Sequence, residues 1–404
     1  MSIRPGERVI ARGQSRAHPE RVTIETMQEP PHTVKLIDLA GLQALFDALT
    51  RRGYEIVGPV HRDGAIVYDR IDAVAELPAG WTDQQAPGSY RLSRRDDDAV
   101  FGYAVGPHSW KRYLFPPRQT LFSVQRLDDG GLSFKPEPID APKRAFIGVR
   151  ACELAAIGVQ DRVFAGGEHV DPAYAARREA VLLVAVNCAV AADTCFCSAM
   201  DTGPAVRGGH DLVLTELIDA AGQRFLVEAG SALGRELLAE LPGPAASADD
   251  IAAAGAQSQR VAAGQTRRID AAAVPALLMR NLEHPRWDAV AQRCLSCANC
   301  TLACPTCFCS SNQEVTDLAG AAHRERHWDS CFNVEFSHLG HGSVRDSVKA
   351  RYRQWLTHKL ATWHEQFGQS GCVGCGRCIS WCPVGIDLTE EVAAIAASDA
   401  GGRP

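Results

Sequence analysis

Two cysteine runs near the end of the chain constrain its fold more than any other feature. The first, Cys294 to Cys309, reads CLSCANCTLACPTCFC, and the second, Cys372 to Pro383, reads CVGCGRCISWCP. Each contains the spacing C-x2-C-x2-C-x3-C-P, which wraps three thiolates around one iron–sulfur cubane and sends the fourth to a neighbouring cluster. That rule groups Cys294, Cys297, Cys300 and Cys382 around one [4Fe-4S] cluster, and Cys372, Cys375, Cys378 and Cys304 around a second. Pro305 and Pro383 turn the chain away after each fourth cysteine. The small residues Ser296, Ala298, Gly374 and Gly376 let backbone amides approach the sulfurs and help set their potential. Zinc knuckles would show two separated C-x2-C pairs instead, which is a poorer match.

The chain has 15 cysteines in 404 residues, 46% hydrophobic and 22% charged, with a formal net charge of −6. An acidic balance without a basic stripe argues against a nucleic-acid partner. The N-terminal MSIRPGERVIARG has no apolar signal region, and no run of about 18 apolar residues predicts a membrane span. The expected location is the cytoplasm, where thiols stay reduced and clustered cysteines point to metal rather than disulfides.

The length predicts more than one domain. Residues 1–33 read as a flexible N-terminal arm, 34–241 as a mixed α/β domain, 242–266 as an Ala-rich linker or exposed helix, and 267–404 as a mainly helical ferredoxin-like domain with both clusters. The fold class is thus α+β multidomain. Within the α/β domain, YEIVGPV and AIVYDRI flank a His61–Gly64 hairpin turn. RAFIGV, a helix from Cys152, and VLLVAV form a βαβ unit whose strands lie parallel. DLVLTELI and RFLVEAG make a second hairpin. From Arg267 onward, helical segments join the cysteine runs. Tyr352, Trp355, Leu356, Leu360 and Trp363 follow helical spacing and read as core rather than a docking face.

Cys152 lies three residues past the apolar stretch of one parallel strand and Cys188 two past that of the next, at the carboxyl edge where α/β sheets place ligands. With Cys195 and Cys197 from the same loop they make a third candidate iron–sulfur site. The alternative is ordinary buried cysteine. Cys307, Cys309 and Cys331 remain; three thiols are one short of a cubane, and they read as structural, with an alternative ligand set or a subunit edge left open. No G-x-G-x-x-G lies between a strand and a helix, there is no P-loop, and the histidines are scattered, so no catalytic residue is assigned. Arg150 and Glu153 beside Cys152 are the candidates for a substrate or flavin site, should the chain be a self-contained oxidoreductase.

The stretches GWTDQQAPGSYRL, GPHSWKRYLFPPR, GVRACELAAIGVQDRVF, TCFCSAMDTGPA, HWDSCFN, Gly342 to Leu360 and both cysteine runs resemble a dicluster iron–sulfur family. It includes the beta subunit of soluble NAD(P)-linked nickel–iron sulfhydrogenases and the electron-transfer subunit of anaerobic sulfite reductase. The resemblance spans roughly residues 34 to 395. It implies an electron-transfer subunit between a flavin/NAD(P)-binding, diaphorase-like subunit and catalytic partners. Those partners are hydrogenase small and large subunits or, alternatively, a sirohaem sulfite reductase subunit.

Overall fold

The computed structural model describes residues 34–317 and 321–400; the arm expected over 1–33 lies outside them. The chain enters at β1 (Lys35–Ile37), then helix Leu39–Arg51, whose first turn is capped by Asp38 accepting from the Gly41 amide. β2 (Glu55–Arg62) and β3 (Ala65–Arg70) form the expected hairpin, with Asp63 and Gly64 both at positive φ in its two-residue turn. A small separate ribbon, β4 (Trp81–Ala86) with β5 (Ser89–Arg94), follows. Next come β6 (Arg118–Arg126) and β7 (Leu132–Pro136).

β8 (Arg144–Arg150), helix Ala151–Phe164, helix Pro172–Glu179 and β9 (Val181–Val186) are the βαβ unit. Its strands pair in parallel, with Arg150 opposite Val186. β10 (Leu212–Asp219) and β11 (Gly222–Ala229) complete a seven-stranded sheet in the order β1-β11-β10-β9-β8-β2-β3. The central strands run parallel and the edges antiparallel. Ala145, Ile147, Val184 and Leu214 pack with Leu42, Phe46 and Leu49 on one face. Phe146, Val149, Leu183 and Val213 pack with Trp110, Leu154 and Tyr174 on the other. Both faces being covered is why these strands are continuously apolar in sequence. Helix Ala248–Gly264, capped by Ser247, occupies most of the expected linker and lays Ala254 against Leu217 and Leu226.

Beyond Arg267, helices Val274–Arg280, Arg286–Ala291, Val348–Thr357, Trp363–Phe367 and Leu388–Ala400 surround the cysteine runs. Tyr352, Trp355, Leu356, Leu360 and Trp363 are all buried, as core residues should be. A π-helical turn, His358–Thr362, interrupts this aromatic helix. One element departs from the helical expectation: β12 (Ser310–Thr316) and β13 (Ala322–Trp328) form a hairpin that joins β6 and β7 in the sheet order β12-β13-β6-β7. Its sequences, SSNQEVT and AHRERHW, lack apolar alternation because polar contacts hold it. Glu325, 2% exposed, binds Arg118 of β6 and the imidazoles of His323 and His327.

Candidate iron–sulfur centres

The two cysteine runs fold alike, residue for residue. Ser296 (φ 50°) and Ala298 (φ 65°) match Gly374 (φ 62°) and Gly376 (φ 75°) in the left-handed region. The Ser296 amide donates to Cys294 Sγ at 3.4 Å, as the Gly374 amide does to Cys372 Sγ at 3.5 Å. Each run then enters one short helix, Asn299–Leu302 or Arg377–Ser380. The amide–sulfur contacts expected from the small residues are therefore present. The Ile386 amide adds a third such bond, to Cys382 Sγ at 3.3 Å.

The thiols separate into two neighbourhoods. Cys294, Cys297, Cys300 and Cys382 line one cavity, which Cys378 also borders. Burial pushes Cys300 well up, and the neighbouring thiols that raise it further are led by Cys294, Cys382 and Cys297. Cys378 is likewise pushed well up by burial, with Cys372, Cys375 and Cys304 as its leading thiol neighbours. Burial pushes Cys372 to about 12. Cys304 moves the other way: a hydrogen bond from Cys307 lowers it well below the ordinary thiol value, against burial, and Lys359 assists. The buried Lys359 ammonium donates to Cys304 Sγ at 3.3 Å, Thr306 Oγ1 at 3.2 Å and the Gly371 carbonyl at 3.3 Å.

This donor set fits clusters better than single ions. A lone zinc draws thiolates in with bonds of about 2.3 Å. Among the described residues no three His, Cys, Asp or Glu side chains are spaced to hold one ion, the eight run cysteines included. Those of the first group stand around a cavity instead. The first cavity is also lined by Tyr352, whose buried hydroxyl has no protein partner. Unpaired buried donors are costly, and cluster sulfur would accept from them.

The four middle cysteines also converge. Cys152 opens the helix after β8, and Cys188 follows β9. Burial pushes both up; Cys197 is the leading thiol neighbour of Cys152, and Cys197 and Cys188 are those of Cys195. Burial takes Cys197 to about 12, and Gln265 Nε2 donates to its sulfur at 3.2 Å. Cys375 neighbours Cys152, Cys195 and Cys197, so this group abuts the second run. Arg150 lies beside Cys188, 1% exposed, with Nη2 on the carbonyls of Phe101 and Tyr103 but Nε and Nη1 unpartnered.

The contact between the middle loop and the second run is intimate. The Phe196 amide donates to the Gly374 carbonyl at 2.9 Å. A Cβ on Gly374 would lie 2.6 Å from the Phe196 carbonyl oxygen, and one on Gly376 would lie 2.4 Å from that of Thr194. The glycines thus serve this close approach as well as the cluster loop. Glu153 is engaged too, accepting from Tyr68 Oη, Trp110 Nε1, the Arg150 amide and Arg377. It has no oxygen left for a substrate. Nothing in the spacing signalled its pairing with Arg377, because the two lie far apart in sequence.

Paired cysteine loops of identical shape on a helical frame beside an α/β sheet define a dicluster iron–sulfur protein. Residues 293–386 match the 4Fe-4S dicluster domain, which gives the chain two [4Fe-4S] clusters. It is 25% identical over 339 residues, 82% of this chain and 89% of the relative, to sulfhydrogenase 2 subunit beta of Pyrococcus furiosus. No solved structure matches. The chain is an iron–sulfur electron-transfer subunit. No helix among the described residues is long and apolar enough to cross a membrane.

Proposed function

We propose that this chain is the relay subunit of a soluble nickel–iron (sulf)hydrogenase-type complex, working between a flavin/NAD(P)-binding subunit and the hydrogenase small and large subunits. The likeness to a sulfhydrogenase beta subunit supports that assignment. Cys294, Cys297, Cys300 and Cys382 hold one cluster; Cys372, Cys375, Cys378 and Cys304 hold the other. Cys152, Cys188, Cys195 and Cys197 hold a third. Residues 34–241 and 267–404 are the two working domains, joined through 242–266. When bound, the clusters supply one-electron transfer.

The carrying observation is continuity. Thiol sites succeed one another from buried Cys152, past Cys197 and Cys375, through Cys304, Cys378 and Cys300, to exposed Cys297. The chain's residues shield the inner end from water with Phe196 and Trp363. Arg150 offers positive charge where thiolates would otherwise repel. At the outer end, exposed Leu295 and Val384 line the same cavity as Cys297, giving a partner protein an apolar rim.

The third site is tested by iron and acid-labile sulfide in the anaerobically loaded full chain. Cys188→Ala/Cys195→Ala should hold about four iron fewer than wild type with the dicluster EPR signals intact. Equal iron would remove the middle site from this reading.

A further inference from the structure

Cys307, Cys309 and Cys331, the three thiols left over from the other sites, line one shared cavity. The hairpin brings them there. Ser310 pairs with Trp328, and the Asp329 amide donates to the Cys309 carbonyl at 2.8 Å, so Cys309 and Cys331 close its open end. Cys309 and Cys331 are close neighbours there, and Cys307 neighbours Cys304 of the second cluster group. This convergence explains a hairpin with so little apolar pattern of its own.

The opposite wall comes from the aromatic helix and its π-turn. His358 and Lys359, the first residues of that turn, line the cavity with Trp355 and Trp363. Such turns insert one residue into a helix and recur at functional sites. Trp363 and Trp355 are 1% and 5% exposed, and both indole N–H groups lack a partner. Two orphaned buried donors on a three-thiol cavity call for an acceptor that the protein does not supply. His358 Nε2 lies 2.9 Å from Gln366 Oε1. With that oxygen accepting, Nε2 carries the proton and Nδ1 keeps its lone pair for a metal. Lys111 adds a second buried ammonium, donating to the Cys307 carbonyl at 3.3 Å.

From this cavity we infer a further iron–sulfur centre, held by the thiolates of Cys307, Cys309 and Cys331 with His358 as the available fourth donor. Its acceptor sulfurs would satisfy Trp355 and Trp363, and the two lysines would offset its negative charge. A single ion is not the occupant, because no three donors here are spaced for one. The centre would adjoin the second cluster group through Cys304. It shares no residue with the middle-domain site, so either can fail without the other.

The test uses the full chain loaded anaerobically with ferrous iron and sulfide. Cys309→Ala/Cys331→Ala should hold about four iron and four labile sulfides fewer than wild type, with the dicluster EPR signals unchanged. Iron and sulfide equal to wild type would overturn the centre. Where the double variant loses the dicluster signals too, Cys331→Ala alone is read against the same two outcomes.

Discussion

Arg377 and Glu153 form an ion pair whose side chains are 0% and 1% exposed. Arg377 sits between Cys375 and Cys378 of the second cysteine run, and Glu153 sits one residue after Cys152 on the helix that follows β8. One interaction therefore ties the second cluster loop to the carboxyl edge of the α/β sheet. Arg377 also donates to the carbonyls of Gly106 and His108 through Nε and Nη2, while its buried Nη1 has no protein partner.

Breaking a buried pair from one side leaves an uncompensated charge, at a cost of about 3–5 kcal/mol. Glu153→Ala should lower stability by that amount, read from thermal or denaturant unfolding. A loss below about 1 kcal/mol would mean that the pair does not hold the two regions together.

Gly374 and Gly64 have similar positive φ, 62° and 73°, but different surroundings. A Cβ at 64 meets open space, whereas one at 374 collides with the backbone of Phe196 and Cys197. Gly64→Ala should cost about 1 kcal/mol from conformation alone. Gly374→Ala should cost several times more, about 3 kcal/mol, and alter the EPR of the second cluster. Equal losses would contradict the interlocked loops.

Much of this was legible in the sequence, and the exceptions have physical causes. The cubane runs, the βαβ unit and the convergence of Cys152 with Cys197 follow from spacing and strand ends, which are local signals. The β12–β13 hairpin was not legible, because Glu325 buries itself among Arg118, His323 and His327 rather than in an apolar stripe. The Glu153–Arg377 pair was invisible for another reason: only the packing of the middle loop against the second run brings the two together. The same packing gave Gly374 and Gly376 a second duty beside amide–sulfur bonding.

Proton release should govern loading of the second cluster. Burial pushes Cys372 to about 12 and raises Cys375 and Cys378, so the iron-free chain keeps all three protonated at neutral pH. Cys304 is already low and contributes no proton there. Iron displaces the three protons, so affinity rises with pH, by up to about a thousandfold per unit, and falls as pH drops. Chelator competition between pH 6 and 8, corrected for the chelator's own protonation, should show the cluster retained better at the higher pH. Retention independent of pH would contradict the protonated resting thiols.

Lys359 places a buried ammonium 3.3 Å from Cys304 Sγ. Positive charge favours the reduced, more negative state. Lys359→Met should lower the adjacent cluster's reduction potential by on the order of 100 mV, at an effective dielectric of about 20. A potentiometric EPR titration checks this; an unchanged or higher potential would remove Lys359 as a tuning residue.

The relay role itself is decided in the assembled complex with Cys375→Ser. One low-temperature EPR cluster signal and NAD(P)-linked turnover should both be lost, while dye-linked activity at the catalytic partner survives. NAD(P)-linked turnover at the wild-type rate, with that signal gone, would contradict the relay.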